Sequence, residues 1–412
     1  MVAALVSKII GLIYKRPLSS MLGNEGFACF QFAQNIYFIL LMIASFSIPQ
    51  AVSKIMAERI AFGRYRDAQR VFRGALIYAV IMGGAVSLFC LFGASILIPS
   101  NMANARLALR VLSPTIFFSG ILGVFRGYFQ AYRNMMPTSL SQILEQIANA
   151  SVALLMVHFM QVSFSAASDS TQQRWGAAGA TMGTGAGVLA ALMLMVVIYG
   201  INRKGIRRRV SKDRVSSDES YGSVLRIIVL IASPIILSAF IYNVNGYINS
   251  YMYSAIMEYK GVAEDVVKSL YSQNSYFMTI INIPLTLAST APTSMIPEVS
   301  AHYAYGDIKS ANAKTDQAAW ISMLISIPAA VGLAVLSGPI TRLLFPVSTP
   351  VAANILIIGA VTIVLNGCSN ISNGVLQGIG KPKIPMINAA VSLVVDVIVM
   401  AVLLFLTDLG VY

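Results

Sequence analysis

Long apolar runs alternate with short polar segments along the whole chain, and this pattern predicts a series of membrane-spanning helices. The runs recur at lengths of about 20 residues, enough for a helix to cross a hydrocarbon core of roughly 30 Å. The short alternating segments typical of membrane β-barrels are absent from the sequence. The predicted fold class is therefore all-α, with eleven spans at about residues 1–22, 26–57, 69–98, 104–131, 138–161, 176–201, 223–255, 266–300, 315–344, 352–379 and 385–407.

The composition agrees with a polytopic membrane protein. Of the 412 residues, 57% are hydrophobic and 11% are charged, whereas about a quarter of the residues in a soluble domain are charged. The three cysteines lie far apart and the two histidines are isolated in the sequence. This spacing argues against a disulfide framework and a metal site, and nothing in the sequence predicts a cofactor.

The net charge of +13 does not by itself predict nucleic-acid binding, because membrane proteins concentrate Lys and Arg in their cytoplasmic loops. Most of the loop cations here follow even-numbered spans, and seven of them lie within residues 202–214. This asymmetry predicts a cytoplasmic N-terminus. We interpret the basic stretch as a cytoplasmic linker at residues 202–222, with binding of anionic lipid headgroups as the alternative.

Two segments of the first half recur in the second half and predict an internal repeat. The matched residues keep nearly constant offsets of 243 and 247 positions: Pro49 with Pro292, Gly63 with Gly306, Ala68 with Ala311, Gly127 with Gly374 and Gln130 with Gln377. A repeating unit of six spans, an even number, gives parallel repeats about an axis along the membrane normal. We predict an N-lobe at residues 1–201 and a C-lobe at residues 223–412, in which the sixth helix is missing.

Polar residues inside the predicted spans are the candidate site residues, because intramembrane charge is costly and usually faces the bundle interior or a water-filled cavity. On span 5 the polar positions Gln142, Glu145 and Asn149 share one helical face, and on span 4 Arg126 shares a face with Gln130. The full set of candidate cavity residues is Lys8, Arg16, Arg126, Gln130, Gln142, Glu145, Asn149, Asn249, Asn274, Asn373 and Gln377.

Structural roles are the alternative for several of these polar residues. Asn and Gln stripes often form hydrogen bonds between membrane helices, worth roughly 0.6 to 2 kcal/mol each. Lys15, Arg16 and Arg133 could extend to the membrane surface instead of lining a cavity. A cationic, amide-rich cavity suits an anionic substrate with hydroxyl groups, such as a pyrophosphate joined to a sugar. On span 6, Gly179, Gly183 and Gly187 form a small-residue stripe that predicts close helix packing.

Three segments carry a resemblance to a known family. The stretches "SKIIGLIYKRPLSSMLGNEGFACFQFAQNIY", "SIPQAVSKIMAER" and "FRGYFQAYRNMMPTSLSQILEQI" resemble the polysaccharide-flippase branch of the multidrug/oligosaccharidyl-lipid/polysaccharide exporter superfamily. Within that branch they are most similar to the stage V sporulation protein B and lipid II flippase types. The resemblance extends over nearly the whole chain, and the segment across spans 4 and 5 is its most specific part.

The resemblance implies a two-lobed, MATE-like transporter fold in the bacterial plasma membrane, working by alternating access. The implied substrate is an undecaprenyl-pyrophosphate-linked saccharide, and the implied partners are membrane lipids and cell-wall or polysaccharide synthases, with no nucleic acid. Lys8, Arg16 and Arg126 match the cavity cations of that family by position. Relative to the family pattern, the chain is expected to be truncated at both ends.

Three other functions remain open from the sequence. A multidrug cation antiporter of the same architecture is the main alternative, although it would favour acidic and aromatic cavity residues over Lys8 and Arg126. A membrane-embedded glycosyltransferase or ligase would act on the same lipid-linked sugars, but it would normally need catalytic acids and large external loops. A non-transporting partner protein is the third alternative.

Overall fold

The computed structural model describes residues 2–46, 48–132, 134–216, 220–304, 306–379, 381 and 383–407. Every regular element in these ranges is helical. The α-helices are α1 (Val2–Ile13), α2 (Lys15–Leu41), α3 (Ile48–Ala61), α4 (Tyr65–Leu97), α5 (Ala105–Ala131), α6 (Met136–Ser163), α7 (Asp169–Lys212), α8 (Tyr221–Tyr259), α9 (Glu264–Ala304), α10 (Ile308–Val335), α11 (Ser337–Leu344), α12 (Pro350–Gly359), α13 (Val361–Gly378) and α14 (Lys383–Leu406). A π-helical turn follows α2 at Met42–Phe46, and a 3-10 turn precedes α5 at Ser100–Met102.

The helices make this chain a multi-pass membrane protein. Within the described residues, seven helices are long and apolar enough to cross a membrane, or eight if the pair α12 and α13, bent by 41°, forms one span. The predicted gap between spans 1 and 2 coincides with Gly23, whose backbone is non-helical at φ 65° and divides α2. The predicted end of span 6 at residue 201 was wrong for the helix, which continues to Lys212. Lys and Arg are good helix formers, so α7 extends beyond its apolar part.

The chain divides into two compact units. Unit 1 contains Met1–Ala28 and Met252–Tyr412, and unit 2 contains Cys29–Tyr251. The core of unit 2 joins α3, α4, α5 and α7 around an aromatic cluster, in which Phe72 packs on Tyr128 at 4.8 Å and on Tyr199 at 5.1 Å between ring centroids. This cluster fixes the relative positions of the helices that carry the candidate site.

Unit 1 has its own aromatic core. The ring of Tyr276 in α9 stacks on that of Phe345, with 4.3 Å between the ring centroids. The ring of Phe27 in α2 packs on Tyr276, with 5.0 Å between the centroids. The Tyr276 hydroxyl donates a hydrogen bond to Asn24 Oδ1 at 2.9 Å. The N-terminal residues are therefore held within unit 1 by both packing and hydrogen bonding.

Corresponding turns in the two units share one backbone geometry. Gly63 and Gly306, which the sequence repeat pairs, have φ angles of 73° and 77°, in the left-handed region that favours glycine. At both positions the glycine N–H bonds the carbonyl three residues earlier, and the next N–H bonds the carbonyl five residues earlier. This is a Schellman-type helix end. Asn134 and Lys381, 247 positions apart, likewise both bond a carbonyl five residues earlier. The repeat seen in the sequence thus recurs as local structure.

Candidate functional site

An ion pair joins the two helices of the α5–α6 hairpin. The Arg126 guanidinium of α5 donates from Nη2 to Glu145 Oε2 of α6 at 2.6 Å, and from Nε to Ser141 Oγ at 3.0 Å. The side chain of Arg126 is 17% exposed to solvent and that of Glu145 is 23% exposed. Both helices are candidate membrane spans, so this half-buried pair lies where an isolated charge would be costly.

The contacts of Arg126 hold one edge of its guanidinium, and the other edge has no hydrogen-bond partner among the described residues. A guanidinium has five N–H donors in a planar fork, and Ser141 and Glu145 use Nε and Nη2. Ser141 is itself oriented, because its hydroxyl donates to the Thr138 carbonyl at 2.7 Å and keeps a lone pair for Arg126. The outer edge, with Nη1, can still donate two parallel hydrogen bonds to an oxyanion.

Glycines of α7 position the helix that carries Glu145. A Cβ atom at Gly187 would lie 2.5 Å from the Glu145 carbonyl oxygen, and one at Gly183 would lie 2.5 Å from the Asn149 carbonyl oxygen. Such contacts are too short for any side chain, so α6 and α7 pack backbone to backbone. The predicted close packing of the small-residue stripe is confirmed, and the stripe packs against the turns of α6 that carry Glu145 and Asn149.

The other helix of the hairpin, α5, is also held by a close backbone contact. A Cβ atom at Gly127, next to Arg126, would lie 2.7 Å from the Pro49 carbonyl oxygen of α3. In addition, Gln34 of α2 donates to Thr184 Oγ1 of α7 at 2.9 Å. The helices around the ion pair are therefore fixed by close backbone contacts and by a hydrogen bond between membrane helices.

The predicted site residues fall into two sets. Unit 2 contains Arg126, Gln130, Gln142, Glu145, Asn149 and Asn249, and all six side chains are half-buried. Of these, Asn149 and Asn249 each have a buried Oδ1 without a hydrogen-bond partner among the described residues. The structure brings Arg126 and Glu145 into direct contact. Their role as a substrate cavity stays a prediction.

Unit 1 contains the remaining predicted residues. Arg16 is exposed, Asn274 is half-buried, and Asn373 donates from Nδ2 to Ser369 Oγ at 3.3 Å. Lys15 donates from Nζ to Thr279 Oγ1 at 3.1 Å within unit 1. The side chains of Lys8, Arg133, Pro292 and Gln377 lie outside the described part of the structure.

The sequence analysis missed two polar residues in spans. Ser141 lies one turn before Glu145 on the same face, so an extension of the polar stripe would have found it. Asp396 lies within α14, the most apolar candidate span, with a hydropathy of 2.8. Its Oδ2 atom is buried without a hydrogen-bond partner among the described residues. A carboxylate inside so apolar a span could have been identified from the sequence as a candidate functional residue.

Residues 202–212 of the predicted linker 202–222 are helical and belong to α7. The part of the linker that follows α7 caps the start of α4. Arg64, the residue before α4, makes no side-chain cap. Instead, Asp213 Oδ2 accepts from the Arg66 N–H at 2.7 Å, and Ser216 Oγ accepts from the Asp67 N–H at 3.3 Å. Burial alone would raise the pKa of Asp213, but hydrogen bonds from the Arg66 N–H and from the hydroxyl and N–H of Ser216 lower it overall. The carboxylate also suits the positive end of a helix.

Comparisons with known proteins agree with this architecture. The polysaccharide biosynthesis protein profile matches residues 1–301, and the MatE profile matches residues 272–402. The lipid II flippase MurJ of Bacillus subtilis (strain 168) is 24% identical over 97% of this chain and 74% of its own length. Stage V sporulation protein B of the same organism is 25% identical over 72% of this chain and 56% of its own length.

Solved transporter structures share the fold. An inward-facing multidrug resistance MATE family transporter of the MOP superfamily superposes with a TM-score of 0.79 at 17% identity, over 98% of this chain and 88% of that chain. MurJ in an inward closed conformation gives a TM-score of 0.65 at 14% identity, over 100% and 82%. The predicted MATE-like fold is therefore confirmed. At sequence identities this low, the similarity shows the fold but does not identify the substrate. The substrate has to be inferred from the chemistry of the site.

Proposed function

Because the chain belongs to the polysaccharide biosynthesis protein family, we propose that it is a flippase for an undecaprenyl-pyrophosphate-linked saccharide, such as lipid II or a polysaccharide precursor. The relative named as a lipid II flippase and the match to the polysaccharide biosynthesis protein profile support this class of substrate. The proposed location is the bacterial plasma membrane, with the N-terminus in the cytoplasm. The proposed activity is transport, with no bond made or broken in the substrate.

The outer edge of the Arg126 guanidinium, which has no hydrogen-bond partner among the described residues, is the observation that carries the proposal. Ser141 and Glu145 hold its Nε and Nη2 atoms, so the guanidinium keeps one orientation within a membrane span. A pyrophosphate presents several acceptor oxygens, and the planar outer edge of an arginine can bind two of them in parallel. The arrangement thus supports an anionic headgroup near the hairpin.

In this proposal, Glu145 lowers the affinity of Arg126 for an anionic headgroup. The carboxylate balances the arginine charge while no substrate is bound, which lowers the cost of a cation within the membrane. A dianionic headgroup next to Glu145 would be held less tightly than beside an unpaired arginine. Transport requires release on the far side as well as capture, so moderate affinity suits a flippase.

Amide side chains of unit 2 supply groups for the sugar. Gln142 and Asn149 lie on the same face of α6 as Glu145, and Asn149 has a buried Oδ1 without a hydrogen-bond partner among the residues that the structure describes. An acceptor left unsatisfied in this way favours a ligand that donates, such as a sugar hydroxyl. Gln130 and Asn249 are further amides of the same unit. In this proposal, alternating access would carry the bound headgroup across while the lipid tail stays in the bilayer.

Export of a cationic drug is the second candidate, because solved neighbours include multidrug transporters. A drug cation would favour a site with net negative charge. The Arg126–Glu145 pair is formally neutral, so it supplies no net negative charge to hold a drug cation. The pair therefore favours the lipid-linked saccharide.

The proposal can be tested in liposomes that contain the full chain and a fluorescent undecaprenyl-pyrophosphate sugar in both leaflets. A membrane-impermeant quencher reports the exchange between leaflets. We expect exchange for the wild type and at least about a tenfold loss for Arg126→Ala, since a charge-assisted contact to the pyrophosphate is removed. Arg110→Gln is the matched control, because Arg110 is an exposed arginine of the same helix. No exchange by folded wild-type protein, together with extrusion of a cationic dye, would favour the drug antiporter.

A further inference from the structure

One side of α13 is entirely polar, although α13 belongs to a candidate membrane span. Together with α12 it forms the bent pair that can cross the membrane as one span. Its sequence contains no Asp, Glu, Lys or Arg. At 3.6 residues per turn, the positions that fall within about a third of its circumference all carry hydroxyls or amides. The residues of this polar arc whose side chains the structure describes are Thr362, Asn366, Ser369, Asn370 and Asn373.

A different side of α13 is buried within unit 1. Ile363 and Ile371 are buried, and Gly367 lies between them at intervals of four residues. A Cβ atom at Gly367 would lie 2.9 Å from Ser326 Oγ and 3.0 Å from Ser322 Oγ of α10. This close contact with α10 fixes the rotation of α13 about its axis, and therefore the direction of the polar arc.

The polar arc is accessible to solvent. Asn366, Ser369 and Asn370 are exposed, and the other two members are half-buried. Amides and hydroxyls that face hydrocarbon forfeit their hydrogen bonds to water, so polar residues within membrane spans normally face the bundle interior or a water-filled cavity. The exposed arc therefore indicates a water-filled space beside α13.

The amides of the arc keep both donors and acceptors for a ligand. Asn366 donates from Nδ2 to the Thr362 carbonyl at 2.8 Å. Asn373 donates from Nδ2 to Ser369 Oγ at 3.3 Å. Both amide oxygens are left to accept a hydrogen bond, and Asn370 has no hydrogen-bond partner among the described residues. An uncharged array of donors and acceptors matches sugar hydroxyls, each of which can donate and accept, whereas a phosphate only accepts.

We propose that the polar arc of α13 binds the saccharide part of the lipid-linked substrate, and so distinguishes substrates with a sugar from those without one. The inference rests on the proposed function, because it assigns the contacts of that substrate's sugar. From Thr362 to Asn373 the arc extends roughly 16 Å along the helix axis, which is room for more than one sugar ring. Each neutral hydrogen bond contributes little net free energy, so the discrimination depends on several amides together.

The first test measures cysteine accessibility in the full chain, reconstituted in liposomes. The exposed Cys368 is replaced by serine, and a cysteine is placed in the arc by Asn370→Cys. We expect a small hydrophilic maleimide to label this position at least about tenfold faster than Leu365→Cys, because a thiol in hydrocarbon stays protonated and unreactive. Leu365 is the matched control, since it is an exposed apolar residue of the same helix outside the arc.

The saccharide is tested by protection from the same label. We expect an undecaprenyl-pyrophosphate disaccharide in the liposomes to slow the labelling of Asn370→Cys severalfold, since Asn366 and Asn373 still hold the sugar. Undecaprenyl pyrophosphate without a sugar should leave the labelling unchanged. Equal protection by both lipids would overturn the inference, because the arc would then respond to the lipid or the pyrophosphate. Equally slow labelling at both cysteine positions would also overturn it, since the arc would then face hydrocarbon.

Lipid exchange separates this inference from the transport proposal. We expect Asn366→Ala/Asn370→Ala to exchange the disaccharide-linked lipid about tenfold more slowly, because two neutral hydrogen bonds are lost, and Leu365→Ala to keep the wild-type rate. Exchange by the double variant at the wild-type rate would overturn the saccharide site and leave the transport proposal intact. Sugar-dependent protection without any exchange by the wild type would contradict transport and support the saccharide site. A thermal midpoint near that of the wild type shows that the double variant is folded.

Discussion

Gly187 of α7 packs against the backbone of Glu145 of α6, so closely that a Cβ atom at Gly187 would lie 2.5 Å from the Glu145 carbonyl oxygen. The Glu145 side chain, on the same residue, binds Arg126 at 2.6 Å. One glycine therefore sets the distance between α7 and the ion pair through the backbone of α6.

Replacement of this glycine by alanine should separate the two helices. We expect Gly187→Ala to lower the free energy of unfolding by about 1–3 kcal/mol, as overpacking does, and to reduce lipid exchange by displacing Glu145. Gly200→Ala is the control, because a Cβ atom at Gly200 of the same helix would meet nothing within 4 Å. Thermal unfolding and the exchange assay measure both effects. Equal behaviour of the two variants would contradict the packing role.

The geometry of Arg126 should matter beyond its charge. Arg126→Lys keeps a cation but loses the planar fork that binds Ser141 and Glu145 while presenting a free edge. We expect exchange to fall severalfold or more in the lysine variant and further in Arg126→Ala. Exchange by Arg126→Lys at the wild-type rate would show that charge alone is sufficient.

A swap of the two charges separates folding from transport. Arg126→Glu/Glu145→Arg retains an ion pair between α5 and α6 but moves the guanidinium to the other helix. We expect the double variant to be more stable than Arg126→Glu alone, because a lone carboxylate pair within the membrane would be repulsive. Its exchange should remain low. Restored exchange would mean that the position of the arginine is unimportant.

Asp213 should stabilise the fold in a pH-dependent manner. Its pKa is lowered in the folded state, so its contribution is present above the unfolded pKa of about 3.9 and is lost as the pH falls through the lower folded value. We expect Asp213→Asn to lower the thermal midpoint by a similar amount at pH 5 and pH 8, with the difference from wild type shrinking below about pH 4. Asp316→Asn, at an exposed position of α10, is the control. A difference that grew on acidification would contradict this role.

We expect Asp396 to lower the stability of the folded protein. Its Oδ2 atom is buried in α14 without a hydrogen-bond partner among the described residues, and an unsatisfied buried carboxylate is unfavourable. We expect Asp396→Asn to raise the thermal midpoint, and any loss of transport in this more stable variant would mark the carboxylate as functional. A lower midpoint would show instead that Asp396 stabilises the folded chain.

Much of the fold follows from hydropathy, because apolar length sets the number of spans and polar residues end them. The extension of α7 to Lys212 did not follow, since hydropathy reports the membrane boundary and not the end of a helix. The sequence also predicted that Arg126 and Glu145 face one space. Their direct contact depends on the offset between α5 and α6, which the turn and the α7 glycines set. The cap on α4 by Asp213 joins residues 147 positions apart, and no local pattern encodes such a contact.

The matching turns at Gly63 and Gly306 allow the same destabilising substitution to be made in each unit. A Cβ atom at either position meets nothing within 4 Å, so an alanine there adds only backbone strain, about 1–2 kcal/mol in each case. The same perturbation can therefore be applied to one unit at a time. If the chain melts in sequence, the alanine placed in the weaker unit shifts the first transition, and its twin shifts the second. The repeat thus provides a means to rank the two units by stability within one chain.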